Sequence, residues 1–454
     1  MRFTRQEIAD TLGATLYGQD GPVLGATVDS RDVPTGALFV PIIAQRDGHD
    51  FIEAAKAAGA GAWFTSRFDS GRDDPDSIIN DGAIIVEDTT SALQALGSYA
   101  RKRIPGSVIG VTGSSGKTST KDLIGAILLT AGPAAVSHKS FNNEYGVPLT
   151  LVNAPDDARH AIIEMGARGI GHIAMLCAIA RPTVGVVTNI GTAHRDLFGS
   201  AEVTAHAKGE LLEALPVGGT AVLNADDAML QLLRTKPSCR VLTFSAKGSA
   251  AADIVASGIV LDAELRATFA MATPWGRADV SLQARGLHQV ENALAASAAS
   301  LASGIELSSV VAGLGTNVLS PWRMEFHRLA SGAVVINDAY NANPGSMKAG
   351  LESLAATPAQ RRVAVLGTMA ELGEESDAFH REIAEYARVL GIDAVMAVDE
   401  PSYQVTNVVG LDGALSFLRS LGAPADGDAI LIKGSRVAGL EKLAERLQGN
   451  GTSQ

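Results

Sequence analysis

The stretch "GVTGSSGKTST", residues 110–120, is built to meet phosphate. Gly113 and Gly116 let the backbone turn tightly and bring N–H groups of Ser114, Ser115 and Ser119 against an anion, and the helix that follows points its positive end at the same place. Lys117 supplies a point charge for terminal phosphates, and the Thr118 hydroxyl can ligate Mg²⁺. The spacing is a shorter variant of the usual phosphate loop, since position 111 is Val. A cradle of this kind serves kinases, GTPases, ATPases and ligases alike, so its chemistry has to be read from residues elsewhere.

Two later strand ends carry further candidates. "HAIIEM" leaves Glu164 at the end of an apolar run, where a buried carboxylate is costly unless it is paired or bound to metal. "VVTNIGTAHRDLFGS" ends another run with Asn189 and His194, the latter a candidate metal ligand. No Asn-Lys-x-Asp guanine signature is present, which argues against a GTPase. Lys208, within the helical "AHAKGEL", reads on spacing alone as a surface lysine.

These groups need sheets to position them. From 105 to 316, compact β-branched runs ("SVIGVT", "HAIIEM", "TVGVVTN", "TAVLN") alternate with helical stretches, predicting a mostly parallel sheet covered by helices. Residues 252–286 have the short alternation and turns of antiparallel strands, a small antiparallel sheet. From 317 to 454 the alternation resumes ("AVVIND", "RRVAVLG", "IDAVMAV", "AILIKG"), predicting a second, doubly wound, Rossmann-like sheet with ligands at its strand ends. Residues 1–104 read as a small α/β unit, closed by Pro105 and Gly106. The expectation is an α/β protein of three domains: 1–104, 105–316 and 317–454.

The whole-chain numbers set limits. There are 454 residues with 46% apolar and 19% charged residues, enough for several cores. A net charge of −12 argues against nucleic acid as a partner. The two cysteines, Cys177 and Cys239, form no metal spacing and read as reduced thiols. Glu7 and Asp10 stand where a secretory leader would be apolar, and no uncharged apolar stretch reaches the roughly 18 residues of a membrane span. A cytoplasmic monomer without membrane insertion is the expectation.

Taken together, "TGSSGKTS", "NNEYGVPLT", "EMGA", "NIGTAH", "AKGEL", "LNADD", "NDAYNANPGSM", "AELG" and "KGSR" resemble the Mur ligase family along nearly the whole chain. "NDAYNANPGSM" (337–347) is similar to the branch that adds D-alanyl-D-alanine, and the Asn-Pro-Arg motif of the branch adding diaminopimelate is missing. The resemblance implies ATP-dependent acyl phosphate chemistry, with UDP-N-acetylmuramoyl-tripeptide and D-alanyl-D-alanine as partners. ATP and Mg²⁺, in two ions, would be the cofactors. It implies an N-terminal UDP-sugar domain, a central ATPase domain and a C-terminal domain for the incoming dipeptide. Lys117, Glu164, His194 and Lys208 would be catalytic; Thr118, Glu164, His194 and a carbamylated Lys208 would hold metal.

The same resemblance places His288 and Asn292 near adenine, and Arg323 and Asp338 near the nucleotide on closure. It places Ser30 and Arg31 at the UDP moiety, and Asn142, Asn143, Asn341, Asn343, Lys433, Ser435 and Arg436 at substrate. The chain departs from the family pattern at Gln289, Thr368, Arg195 and Asp196, and in the loop before Gly48 and His49. Left open are a family member adding a single amino acid, a P-loop kinase and a non-catalytic nucleotide switch.

Overall fold

The computed structural model describes residues 1–67, 82–191, 200–233, 238–316 and 319–449. Among the described residues three larger sheets follow one another along the chain, beside a two-stranded antiparallel pair, Arg2–Thr4 with Pro22–Leu24. The first has five short strands in the spatial order Thr15–Leu16, Ala83–Ile85, Ala62–Thr65, Leu38–Phe39 and Ala26–Thr27, all but the first pairing being parallel. The helix Thr89–Lys102, capped by the Asp88 carboxylate on Ser91 N–H, leads out of it.

The central sheet has nine strands. Its heart is Val108–Thr112, fully buried, with His160–Glu164 on one side and Val184–Val187 on the other, all parallel. Runs of Val and Ile buried on both faces read as continuous apolar segments because helices cover each face. After Val108–Thr112 the chain crosses to the far strand Ala134–Val136, returns through His160–Glu164, and only then moves to the other side at Val184–Val187. The direction of winding therefore reverses at Val108–Thr112, and a crevice opens beyond the carboxyl ends of these strands, where ligands bind in such sheets. The expected antiparallel strands are Ile254–Leu261, Arg266–Thr273 and Gly276–Arg285. They do not stand apart: they extend the same sheet, joined through a parallel pairing of Ile254–Leu261 with Arg240–Ser245.

The third sheet has six strands with Asp428–Lys433 between Val334–Asp338 and Arg361–Leu366, all parallel, and an antiparallel edge strand, Glu325–Arg328. Apolar alternation missed that edge strand because "EFHR" carries three polar residues on a half-exposed rim.

The boundary near 104 is a change of sheet but not of core. Phe3, Leu93, Leu96 and Ile104 pack in one apolar cluster with Val147, Leu151, Ile163 and Leu176 of the central unit, and the N-terminal ammonium donates to Val152 C=O at 3.0 Å. Rotation about residue 104 would open buried apolar surface at roughly 25 cal/mol per Å². Among the described residues no helix is long and apolar enough to cross a membrane.

Candidate functional site

The cradle follows directly from the strand it leaves. Thr112 ends the central strand, Gly113 takes φ +148°, and Gly116 takes φ +77° to open the helix Lys117–Ala131. Neither glycine has room for a side chain. A Cβ on Gly113 would lie 1.9 Å from Thr188 Oγ1, and one on Gly116 would lie 2.5 Å from Asn292 Oδ1. The neighbouring strand end holds the loop in place: Ser115 N–H donates to Asn189 Oδ1 at 3.0 Å, Thr188 Oγ1 donates to Ser115 C=O at 2.6 Å, and Gly191 N–H donates to Ser114 Oγ at 2.8 Å. Asn189 is thus a loop clamp. Gly113→Ala is expected to cost about 2–4 kcal/mol of stability, combining a left-handed backbone with a backbone-adjacent clash. Chemical denaturation of the variant beside its parent checks this.

The Lys117 ammonium rests on its own loop, donating to Gly113 C=O at 2.7 Å. Burial pushes its pKa down and Arg323 adds to that, while the carboxylates of Glu164 and Glu371 pull it back up. Thr118 and Ser119 are buried at the helix start, and the whole loop from Ser114 to Ser119 lines a cleft of about 600 Å³.

Glu164 is paired in register with Val111, one residue before the strand end that launches the cradle. It is 1% exposed, and its Oε1 accepts from Asn142 Nδ2 at 2.9 Å. Its Oε2 is buried with no hydrogen-bond partner among the described residues. A buried carboxylate oxygen without a hydrogen-bond donor, lining the same cleft as the phosphate cradle, fits a bound divalent cation. Among the described residues no three His, Cys, Asp or Glu side chains converge, so such a cation would add the Thr118 hydroxyl and phosphate oxygens to Glu164. His194, with Arg195 and Asp196, lies outside the described residues.

Lys208 corrects the surface reading. The helix Ala201–Glu213 lies against the central sheet with Thr204 through Leu212 mostly buried, because Ala205, Ala207 and Gly209 allow close approach. Lys208 is 1% exposed and reaches the cleft wall. Desolvation, helped by the charge of Lys117, lowers its pKa from 10.5 to about 7.

The adenine-side candidates lie on the helix His288–Ala302, which packs over the cradle helix. Asn292 is buried, accepts from Thr120 Oγ1 at 3.2 Å and donates to Gln289 Oε1 at 2.8 Å. Gln289 therefore fits the site as a partner of Asn292, and its amide also meets His288 Nε2 at 3.2 Å. Burial lowers the His288 pKa, which favours the neutral ring.

The third sheet closes the cleft from the opposite side. Asp338 and Lys433 end adjacent parallel strands in register, and Lys433 Nζ lies 2.5 Å from Asp338 Oδ2 while being 2% exposed. Lys433, Asp338, Arg323, Asn341 and Asn343 all line the cleft, as do Asn142 and Asn143 from the central unit. Two of these have structural work as well. Asn343 caps the helix Pro344–Ala356 by accepting from Ser346 N–H, and Asn143 accepts from Gly146 N–H at 2.9 Å.

Four candidates are not brought to the cleft. Ser435 is buried, its hydroxyl accepting from Ala370 N–H at 2.9 Å and facing Ala342 C=O. Arg436 pairs with Glu441 at 2.8 Å and stacks over Trp322. Ser30 and Arg31 sit on the N-terminal unit, Arg31 gripping Asp29 at 2.7 Å and holding that carboxyl near about 2. His49 packs inside its own unit between Asp47 and Ser66. Ser140, His172, Glu291, Tyr340 and Glu371 line the cleft without having been assigned. Tyr340 and Glu371 fall within quoted motifs; Ser140 and His172 carry no motif signal.

The comparisons agree with this arrangement. Residues 111–300 match the Mur ligase middle domain, and residues 322–436 match the Mur ligase glutamate ligase domain. The UDP-N-acetylmuramoyl-tripeptide–D-alanyl-D-alanine ligase of Escherichia coli (strain K12) is 37% identical over 458 residues, covering 99% of each chain. The enzyme of the same name from Bacillus subtilis (strain 168) is 32% identical over 98% of each. Among solved structures, MurF from Acinetobacter baumannii superposes with a TM-score of 0.87 at 28% identity over 99% of each chain. MurF ligase from Thermotoga maritima in complex with ADP gives 0.79 at 28%, over 94% of this chain and 97% of that one. With full-length relatives at this identity and two matching domains around one shared cleft, the chain belongs to the Mur ligase family.

Proposed function

We propose that the chain joins D-alanyl-D-alanine to UDP-N-acetylmuramoyl-tripeptide at the expense of ATP, giving the UDP-linked pentapeptide, ADP and phosphate. The observation that carries this reading is the charge at the cleft. Lys117 and Arg323, with the Lys208 amine, gather beside the glycine cradle between two strand-end rims. Bringing a carboxylate to a triphosphate joins two anions, so the task is charge neutralisation and alignment. The relatives named for this reaction match the chain from end to end.

In this reading residues 1–104 take the UDP-sugar, through Ser30 and Arg31, residues 105–316 take ATP, and residues 317–454 take the dipeptide. The backbone from Gly113 to Ser119 cradles phosphates and Lys117 leaves its loop carbonyl for the terminal one. Glu164 and Thr118 would hold a Mg²⁺ ion, which would supply positive charge to the phosphates; a second ion and His194 belong to the same expectation. Arg323 adds positive charge from the C-terminal unit. The γ-phosphoryl passes to the tripeptide carboxylate, the dipeptide amine attacks the acyl carbon and loses a proton, and phosphate leaves. Lys433, Asn341 and Asn343 line the wall from which that amine arrives. Closure over the cleft keeps water from the acyl phosphate. It is expected at the polar cleft between the second and third sheets more than at residue 104, where a shared core resists it. A cytoplasmic monomer completes the picture.

Glu164→Gln keeps the Asn142 contact and removes the charge a cation needs. We expect kcat to fall about 10²- to 10³-fold with the dependence on Mg²⁺ shifted to higher concentration; titrating Mg²⁺ in both proteins checks this. The reading itself is tested by the mass of the product. Gain of a dialanyl unit supports it, and gain of a phosphoryl group would make the protein a kinase.

A further inference from the structure

Tyr340 lines the cleft beside Asp338, yet no step above uses it. Its ring carries the Arg323 guanidinium 4.2 Å from its centroid, and the Trp322 ring lies 6.4 Å away, inclined by 29°. Arg323 stands between two non-glycine residues in the left-handed region, Trp322 at φ 61° and Met324 at φ 53°. Such backbone persists only where its surroundings hold it. Here Tyr340 N–H donates to Trp322 C=O at 3.2 Å, and Met324 N–H donates to Asp338 Oδ1 at 3.2 Å.

The guanidinium so presented is incomplete. Arg323 Nε is buried with no acceptor among the described residues and, unlike Arg285 and Arg362, whose Nε atoms are also without one, Arg323 lines the cleft, where a ligand can bring an acceptor. Its charge is felt by Lys117 across the cleft. A ring face suits this task better than a carboxylate would. It orients the guanidinium without cancelling its charge, and leaves the N–H edge free for phosphate. The other end of Tyr340 reaches the central unit, where its hydroxyl is hydrogen-bonded to the Ser140 hydroxyl. Ser140 belongs to the same loop as Asn142, the partner of Glu164.

We propose that Tyr340 is the positioning residue that aims Arg323 at the phosphates of the nucleotide, and that its bond to Ser140 makes this aim depend on the C-terminal unit being seated on the central one. The proposal rests on the reading of the cleft as an ATP site. It differs from simple interface packing in what it predicts for pairs of substitutions.

Four variants of the full chain decide it: Tyr340→Leu, Tyr340→Phe, Ser140→Ala and Arg323→Gln, with the pairs Tyr340→Leu/Arg323→Gln and Tyr340→Phe/Ser140→Ala. Each is assayed for KM of ATP, kcat and ADP affinity. Tyr340→Leu is expected to raise KM for ATP about tenfold, with the change in KM exceeding the change in kcat. Combined with Arg323→Gln it should add nothing to that variant alone. Tyr340→Phe keeps the stack and should restore most of the loss. Together with Ser140→Ala it should cost no more than either single change. Multiplying effects in either pair, or a Phe variant as impaired as Leu, would overturn the proposal. Should Tyr340→Leu fail to fold, the Tyr340→Phe and Ser140→Ala pair still decides by the same rule. ADP affinity keeps the test separate from the reaction: a parent that binds ADP but forms no amide sinks the ligase reading, while the pairwise effects on ADP affinity still judge Tyr340.

Discussion

Replacing Lys117 with methionine is expected to lower turnover about 10³-fold and to leave the fold at least as stable as before. The two halves of this result have one origin. The Lys117 ammonium is held in the cradle against Gly113 C=O, where burial and Arg323 act against its charge more strongly than Glu164 and Glu371 favour it. That arrangement is unfavourable until phosphate arrives, so an uncharged side chain of similar length removes a cost in the free protein and removes the attraction in the complex. Rate and thermal midpoint measured on the same preparations check the pair of outcomes. A methionine variant with near-parental turnover would contradict the role, and one that lost stability together with rate would leave the loss of rate to misfolding.

Removing the Lys208 amine by Lys208→Ala is expected to lower kcat by a comparable factor, about 10³-fold, with activity partly restored by a short carboxylate such as acetate. Lys208 is buried within reach of Lys117, and its pKa is down to about 7 through desolvation first and Lys117 second. A cation there would repel Mg²⁺; a neutral amine can take up CO₂ and become an anion that helps to organise it. Activity should therefore fall in CO₂-free buffer and return with bicarbonate. Below about pH 7 the amine is protonated, and its capacity to take up CO₂ should fall about tenfold per pH unit. Stability follows the opposite limb. The folded chain gives up this proton near pH 7 and the unfolded chain only near 10.5, so the uncarbamylated protein gains stability as pH rises across that window. A Lys208→Ala variant as active as the parent, with no response to bicarbonate, would sink the carbamate.

The cradle and the strand ends were legible because their chemistry is local. A glycine pair before Lys117 and a carboxylate closing an apolar run need only a few residues to be seen, and the structure puts both on one rim. The alternation of apolar runs and helical stretches likewise yields the two large parallel sheets. What spacing could not give was anything fixed by packing between distant segments. Lys208 looks exposed in "AHAKGEL" because a helix with Ala and Gly on its inner face has no strong apolar stripe. Ser435 and Arg436 adjoin Lys433 in sequence, yet the turn after Asp428–Lys433 carries them off the cleft wall, one buried and one paired with Glu441. The shared core across residue 104 was equally invisible, since Pro105 and Gly106 mark a change of sheet whether or not apolar contacts continue past it.

The central claim is that the cleft couples nucleotide cleavage to capture of an amine. Phosphate release with ATP, Mg²⁺ and UDP-N-acetylmuramoyl-tripeptide present, measured with D-alanyl-D-alanine and then with single amino acids, tests it most directly. The account predicts release that depends on the dipeptide and matches new amide one for one. Release that ignores the acceptor, or that answers to a single amino acid instead, would contradict it.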